Sequence, residues 1–257
     1  MKGVIPLFRI AGIQVYLHFT WFFIAALEIF RFAHRYHNPA WAVAEYLTLF
    51  LIVLLHEFGH AFACRQTGGQ ASQIVLWPLG GVAFVKPPPR PGAYLWSIAA
   101  GPLVNAALFP VFTVLLFGAA YFHLRPAAPD AWQFLISIAL MNGFLLFFNL
   151  IPVYPLDGGQ IVRGLLWLKL GPARSLKISS VIGFIGAALF AIWAFLARSI
   201  WLGILAFFVF GQAQVGWRAA QNLELEPEER ARRDAPVSPP IADQKSRLPH
   251  SESSSET

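Results

Sequence analysis

The strongest constraint on the fold is a stretch of 40 residues, 178–217, that contains a single charged residue, Arg198. As one straight α-helix this stretch would be about 60 Å long, twice the thickness of the hydrocarbon layer of a membrane. The chain must therefore turn within it. We predict two membrane-spanning helices, 178–197 and 200–217, joined by a turn at Arg198 and Ser199.

Four further apolar stretches are long enough to cross a membrane; they are residues 13–30, 41–64, 94–121 and 132–151. Pro152 and Pro155 end the last of these, because proline lacks the backbone N–H that continues a helix. Helix can resume after Gly158 and Gly159 and continue to about Leu168. The pattern therefore predicts an α-helical membrane protein with six transmembrane helices.

The segment between the second and third spans has a different character. Residues 65–93 contain five glycines and five prolines. Two short strand-like pieces, 73–77 and 80–85, flank Pro78 and Leu79, which favours a turn between two strands. We expect a short β-hairpin or re-entrant segment here, within an otherwise all-α fold.

Charged residues make up only 12% of the chain, against roughly 25% in an ordinary soluble domain. Residues 222–257 hold 8 of the 13 acidic residues, which leaves 5 acidic and 14 basic residues in 1–221. The excess of basic residues in 1–221 lies in predicted loops, so no nucleic-acid partner is expected. Residues 1–221 are predicted to form one membrane domain, and 222–257, rich in proline and serine, a disordered tail.

The basic residues also predict an orientation. Nine of them fall in loops on one side of the predicted bundle and four on the other. Because lysine and arginine are enriched in cytoplasmic loops, both termini are expected in the cytoplasm. With no targeting segment identified, we expect a multi-pass protein of a prokaryotic plasma membrane.

The second span ends with two histidines and a glutamate in the pattern His56-Glu57-Phe58-Gly59-His60. On a helix, residues four apart lie about 40° apart on one face, so the two imidazoles can chelate one metal ion. The carboxylate of Glu57, next to the first histidine, can take a proton from a water that the metal activates. This spacing is typical of metal-assisted hydrolysis.

Asp157 is a candidate third ligand. Of the five acidic residues in 1–221, only Glu57 and Asp157 lie deep in apolar sequence near a helix break, where an unpaired carboxylate costs several kcal/mol. The second and fourth spans run in the same direction, so His56, His60 and Asp157 can meet near the cytoplasmic side. Two imidazoles and one carboxylate form a catalytic zinc set. Asp157 could also be the N-cap of the helix that follows, either instead of binding the metal or in addition to it.

Together these segments resemble the site-2 proteases, a family of zinc intramembrane metalloproteases. Two motifs carry most of the resemblance: the HExxH helix at 56–60 and the segment NLIPVYPLDGG at 149–159. PLGGV at 78–82 and GPLVN at 101–105 resemble two further family signatures, so the match covers roughly residues 10–215. Many family members carry a PDZ insertion or a CBS domain, and we expect neither within these 257 residues.

The resemblance implies His56, His60 and Asp157 as zinc ligands, Glu57 as the general base and Asn149 as a residue near the substrate. It also implies the activity of an intramembrane endopeptidase that cuts transmembrane protein substrates within the lipid bilayer. We expect the hairpin to bind the extended substrate by strand addition. Asn105, Asn142, Gly101 and Cys64 are interpreted as helix-packing residues.

Two other functions compete with proteolysis. Intramembrane histidine and aspartate residues also mark ion pathways, so a metal-ion or proton-coupled transporter is the alternative. A third possibility is an inactive scaffold that binds membrane partners, although a scaffold needs neither the HExxH pattern nor Asp157.

Overall fold

The computed structural model describes residues 3–32, 35–77 and 80–225. The chain divides into two units, Met1–Leu223 and Glu224–Thr257, and nearly all of the second, with most of the predicted tail, lies outside the described residues. The described helices and strands are, in order, β1 (Val4–Ile10), β2 (Ile13–His18), α1 (Thr20–Phe32), α2 (Ala40–Gln66), β3 (Gln70–Trp77), β4 (Gly80–Lys86), α3 (Pro91–Tyr121), α4 (Leu124–Ala127), α5 (Pro129–Asn149), α6 (Asp157–Leu196) and α7 (Ile200–Glu224).

Among the described residues, five helices are long and apolar enough to cross a membrane: α2, α3, α5, α6 and α7. The predicted spans 41–64, 94–121, 132–151 and 200–217 correspond to α2, α3, α5 and α7. The predicted span 178–197 lies in the second half of α6, and a turn follows α6, where Arg198 has φ = 49°.

The predicted first span, 13–30, is wrong in its secondary structure. Ile13–His18 form strand β2, and only the 13 residues of α1 are helical. Ile13, Val15 and Leu17 are buried, whereas Gln14 and Tyr16 between them are partly exposed. This alternation has the two-residue period of a strand that packs one face on a core.

The protein is therefore mostly helical with a small sheet, not all-α. In the described part of the chain the sheet has four strands in the order β1-β2-β3-β4. Strands β1 and β2 pair antiparallel, β2 and β3 parallel, and β3 and β4 antiparallel. The β1–β2 turn has positive φ at both Ala11 (49°) and Gly12 (74°), as in a type I′ hairpin.

Strands β3 and β4 occupy the segment in which the hairpin was predicted, and Pro78 and Leu79 between them lie outside the described residues. The pairing extends from Gln70 opposite Lys86 to Trp77 opposite Gly80. The sheet packs on α2 through buried side chains of both elements: Ile13, Val15, Leu17, Ile74, Leu76, Val53, Leu54, Phe58 and Ala61. The inner strands thus lie alongside the part of α2 that carries the HExxH pattern.

Helix α6 bends at Gly171, which has φ = 76° and ψ = 173° and precedes Pro172. This backbone conformation is essentially restricted to glycine, because a Cβ atom would be strained there. The bend separates a short first half, which begins at Asp157, from a second half that ends at Leu196. It lies close to the predicted end of the resumed helix at about Leu168.

We expect Gly171→Ala to destabilise the protein by about 1–3 kcal/mol, because alanine is strained in this backbone conformation. A Cβ at Gly171 would meet no atom within 4 Å, so a loss of stability would come from the backbone alone. Thermal unfolding in detergent measures the effect.

Gly118→Ala is the matched control, since Gly118 lies within helix α3 and its Cβ would also meet nothing within 4 Å. This substitution should leave stability unchanged or raise it by up to about 1 kcal/mol, the helix preference of alanine over glycine. Equal melting temperatures for the two variants would contradict the conformation described at Gly171.

Candidate metal centre

Three side chains from two helices converge on one point. His56 and His60 lie one turn apart on α2, and Asp157 is the first residue of α6. The Oδ2 atom of Asp157 lies 3.1 Å from His56 Nε2 and 3.5 Å from His60 Nε2. The two Nε2 atoms are themselves 3.1 Å apart.

This triangle fits a tetrahedral zinc ion. With ligand atoms 2.0–2.2 Å from the metal, tetrahedral geometry separates the ligand atoms by about 3.3 Å. The three observed separations, 3.1, 3.1 and 3.5 Å, agree with that value. All three residues are buried, with at most 9% of their surface exposed. His56, His60 and Asp157 could therefore hold a metal ion.

The turn after α5 places Asp157. Helix α5 ends at Asn149, α6 begins at Asp157, and the segment between them contains Pro152 and Pro155. The N-cap residue of α6 is Leu156, and no side chain caps the helix. The carboxylate of Asp157 thus points to the two histidines instead of capping α6, unlike the alternative drawn from the sequence.

Two glycines allow this turn to fold back on the start of α6. A Cβ atom at Gly158 would overlap the backbone of Leu150, and one at Gly159 would overlap the backbone of Tyr154. Only residues without a side chain fit at these two positions. The Asp-Gly-Gly sequence therefore has a packing reason as well as a chemical one.

Glu57 lies next to His56 and is 5% exposed. The backbone N–H of Ala83 in β4 donates a hydrogen bond of 2.8 Å to its Oε2 atom. Strand β4 is at the edge of the sheet, and Ala83 is paired with Ile74 of β3 on its other side. The outer edge of β4 thus faces Glu57, and one backbone donor holds the carboxylate in place.

Helix α3 contacts both histidines on the side away from Asp157. His56 Nδ1 lies 2.6 Å from Asn105 Oδ1, and His60 Nδ1 lies 2.9 Å from the backbone oxygen of Ser97. Between these contacts, a Cβ atom at Gly101 would overlap the His60 ring. The contact of Asn105 with His56 was not predicted from the sequence, whereas the close approach at Gly101 agrees with the packing role predicted for it. The spacing of Ser97, Gly101 and Asn105, four residues each, is the signal that one helix face carries all three.

Two further candidates from the sequence are Asn149 and Cys64. Asn149 is the last residue of α5 and is partly exposed. Cys64 is buried, and its Sγ lies 3.5 Å from the backbone oxygen of Gln70. The predicted packing role of Cys64 agrees with this position, and its thiol is not among the groups that could hold the metal.

Comparisons with known proteins agree with this geometry. A model of Peptidase family M50 matches residues 44–193, more than half of the chain. A zinc metalloprotease of Methanocaldococcus jannaschii is 35% identical over 214 residues, which cover 83% of this chain and 60% of that protein. Stage IV sporulation protein FB of Bacillus subtilis is 27% identical over 166 residues, 64% of this chain and 54% of that protein.

The chain thus spans little more than half the length of these two curated relatives. Among solved structures, a site-2 protease from Methanocaldococcus jannaschii matches with a TM-score of 0.60 and 31% identity, covering 84% of this chain and 95% of that one. Span-length helices and relatives in archaea and bacteria indicate a multi-pass membrane protein. By the family model, the chain belongs to peptidase family M50, the family of the site-2 proteases.

Proposed function

We propose that this protein is a zinc-dependent intramembrane endopeptidase that hydrolyses a peptide bond in or near the transmembrane segment of membrane-protein substrates. One observation carries the proposal: three buried ligand atoms lie at the mutual distances of a tetrahedral metal site, with a carboxylate on the adjacent residue. Zinc is the metal named for the archaeal relative, and a site of two imidazoles and one carboxylate suits it.

In this proposal His56, His60 and Asp157 hold the zinc ion and Glu57 is the general base. When bound, zinc supplies Lewis acidity, which activates a water and polarises the peptide carbonyl. Glu57 accepts the proton of the attacking water and passes it to the nitrogen of the leaving amine. The hydrogen bond from Ala83 keeps this carboxylate beside the ligands before substrate arrives.

A transmembrane substrate must be at least locally extended for its peptide bond to be attacked, since helical carbonyls are hydrogen-bonded. The outer edge of β4 runs past Glu57, so a peptide added to this edge would pass the general base. We assign substrate binding to this edge by strand addition, and to Asn149 at the end of α5. The turn at Pro152 and Pro155, between α5 and α6, is where the bundle would admit water.

The proposed topology has six crossings, with β2 and α1 together forming the first. Leu17 of β2 pairs with Leu76 of β3, alongside the site. Four residues later the backbone oxygen of Trp21 accepts a hydrogen bond from Tyr46, close to the beginning of α2. The segment from β2 through α1 therefore runs along α2 in the opposite direction and reaches its far end.

Both termini then lie in the cytoplasm of a bacterial or archaeal cell, with the site near the cytoplasmic face of the plasma membrane. The excess of basic residues in the loops on this side supports that orientation. Residues 1–221 form the membrane protease domain in this proposal, and 222–257 a cytoplasmic tail. The transporter alternative has no comparable support, since the family and the named relative are proteases.

Glu57→Gln should bind zinc at about one ion per chain and lose cleavage by roughly 10²–10⁴-fold, because the amide cannot accept the proton. The variant is reconstituted in liposomes with a membrane-protein substrate, and fragments and metal content are measured. Full residual cleavage would overturn the role of Glu57.

Glu45→Gln is the matched control for this experiment. Glu45 is a second buried glutamate of α2 and lies eleven residues before His56. It accepts a hydrogen bond from Tyr36. The same substitution there removes a buried carboxylate without touching the site, so cleavage should remain close to that of the wild type.

Asp157→Ala should weaken zinc binding more than the 10–100-fold typical of losing an outer contact, because a direct ligand is removed. Competition with a chelator of known affinity measures the change. Asp130→Ala is the control. Asp130 accepts hydrogen bonds from the backbone N–H groups of His37 and Asn38, and neither residue belongs to the metal site. Equal zinc affinity in both aspartate variants would contradict Asp157 as a ligand.

A further inference from the structure

Three hydrogen bonds among two asparagines and a histidine join α3 to α5 and α2 behind the metal site. Asn142 Nδ2 donates to the backbone oxygen of Asn105 at 3.0 Å. Asn105 Nδ2 donates to Asn142 Oδ1 at 2.9 Å, and Asn105 Oδ1 lies 2.6 Å from His56 Nδ1. Both asparagines are fully buried.

The directions of these three hydrogen bonds all follow from the first one, between Asn142 and the backbone oxygen of Asn105. A backbone carbonyl oxygen can only accept, so the atom of Asn142 that faces it must be the amide nitrogen. Asn142 Oδ1 then faces Asn105, which requires the nitrogen of Asn105 on that side and its oxygen toward His56. The oxygen can only accept, so His56 Nδ1 must carry the proton.

The backbone oxygen of Asn105 therefore sets the tautomer of His56. It does so through the side chains of Asn142 and Asn105. In the neutral ring with its proton on Nδ1, Nε2 has a free lone pair, and Nε2 is the atom that lies 3.1 Å from Asp157 Oδ2. His60 has the same tautomer, with the proton on Nδ1, because its Nδ1 faces the backbone oxygen of Ser97, which can only accept. In its neutral form each ring thus directs an unprotonated Nε2 to the same point.

We propose that Asn105, oriented by Asn142, is a positioning residue that holds His56 in the tautomer and ring orientation needed for metal binding through Nε2. The inference rests on the proposed function in that the metal is the zinc of the protease. The sequence interpretation, helix packing, explains the bonds between the two asparagines but not the bond from Asn105 to His56.

Three full-length variants separate positioning from packing. Asn142→Leu and Asn105→Asp both disturb the amide pair between α3 and α5, yet each keeps an oxygen acceptor at position 105 for His56 Nδ1. Asn105→Leu disturbs the same pair and removes the acceptor. If the amides serve only packing, the three variants lose similar stability and similar zinc affinity.

We expect Asn105→Leu to weaken zinc binding by about 10–100-fold, the range for loss of an outer partner of a metal-bound histidine. Asn105→Asp should stay close to the wild type, because a carboxylate also accepts the Nδ1 proton, and Asn142→Leu should fall between. Zinc affinity is measured by chelator competition and the stability of the metal-free protein by thermal unfolding. Unchanged affinity in Asn105→Leu, or equal losses in all three variants, would overturn the proposal.

A second measurement does not depend on the folding of Asn105→Leu. Nitrogen-15 NMR of histidine-labelled, metal-free wild type in liposomes, at a pH high enough for the His56 ring to be neutral and with His56 assigned by comparison with His56→Gln, should show a protonated Nδ1 and an unprotonated Nε2. A proton on Nε2 would overturn the proposal. If the wild type binds no zinc, the proposed function fails, whereas the tautomer of His56 still decides the role of Asn105.

Discussion

The close contact between α2 and α3 is the constraint on which the site depends. A Cβ atom at Gly59 would lie 2.7 Å from the backbone oxygen of Ala100, so the two helices can approach this closely only with glycine there. Gly101 on α3 similarly leaves room for the histidine rings. At this separation the backbone and the short side chains of α3 reach both imidazoles, and a bulkier interface would move the rings away from Asp157.

Polar groups in an apolar bundle need partners, and this requirement explains why four elements meet at one place. His56, Glu57 and His60 are all buried and all have partners: Asn105 and the Ser97 backbone oxygen of α3 contact His56 and His60, and Ala83 of β4 donates to Glu57. Asp157 brings α6 to the same point. The groups that would do the chemistry are thus also those whose burial the fold must compensate.

The sequence could predict the features that depend on local spacing. Apolar length and helical periodicity predict helix α2 and the shared face of His56 and His60 on it. Two spans lie between α2 and Asp157, which predicts that Asp157 is on the same side of the membrane as the histidines. Strand β2 was missed because its alternation of Ile13, Val15 and Leu17 lies within a longer apolar run that has the length of a helix. The contact of Asn105 with His56 joins residues 49 positions apart, and no local pattern encodes it.

The start of α6 at Asp157 has an electrostatic consequence for the site. The first turn of this helix lies beside His56 and His60, because Asp157 is its first residue. The peptide dipoles of a helix add up to about half a positive charge at its N-terminus. Negative charge on Asp157, or charge that develops on a reacting carbonyl oxygen next to it, therefore lies at the favourable end of a helix macrodipole within a medium of low dielectric constant.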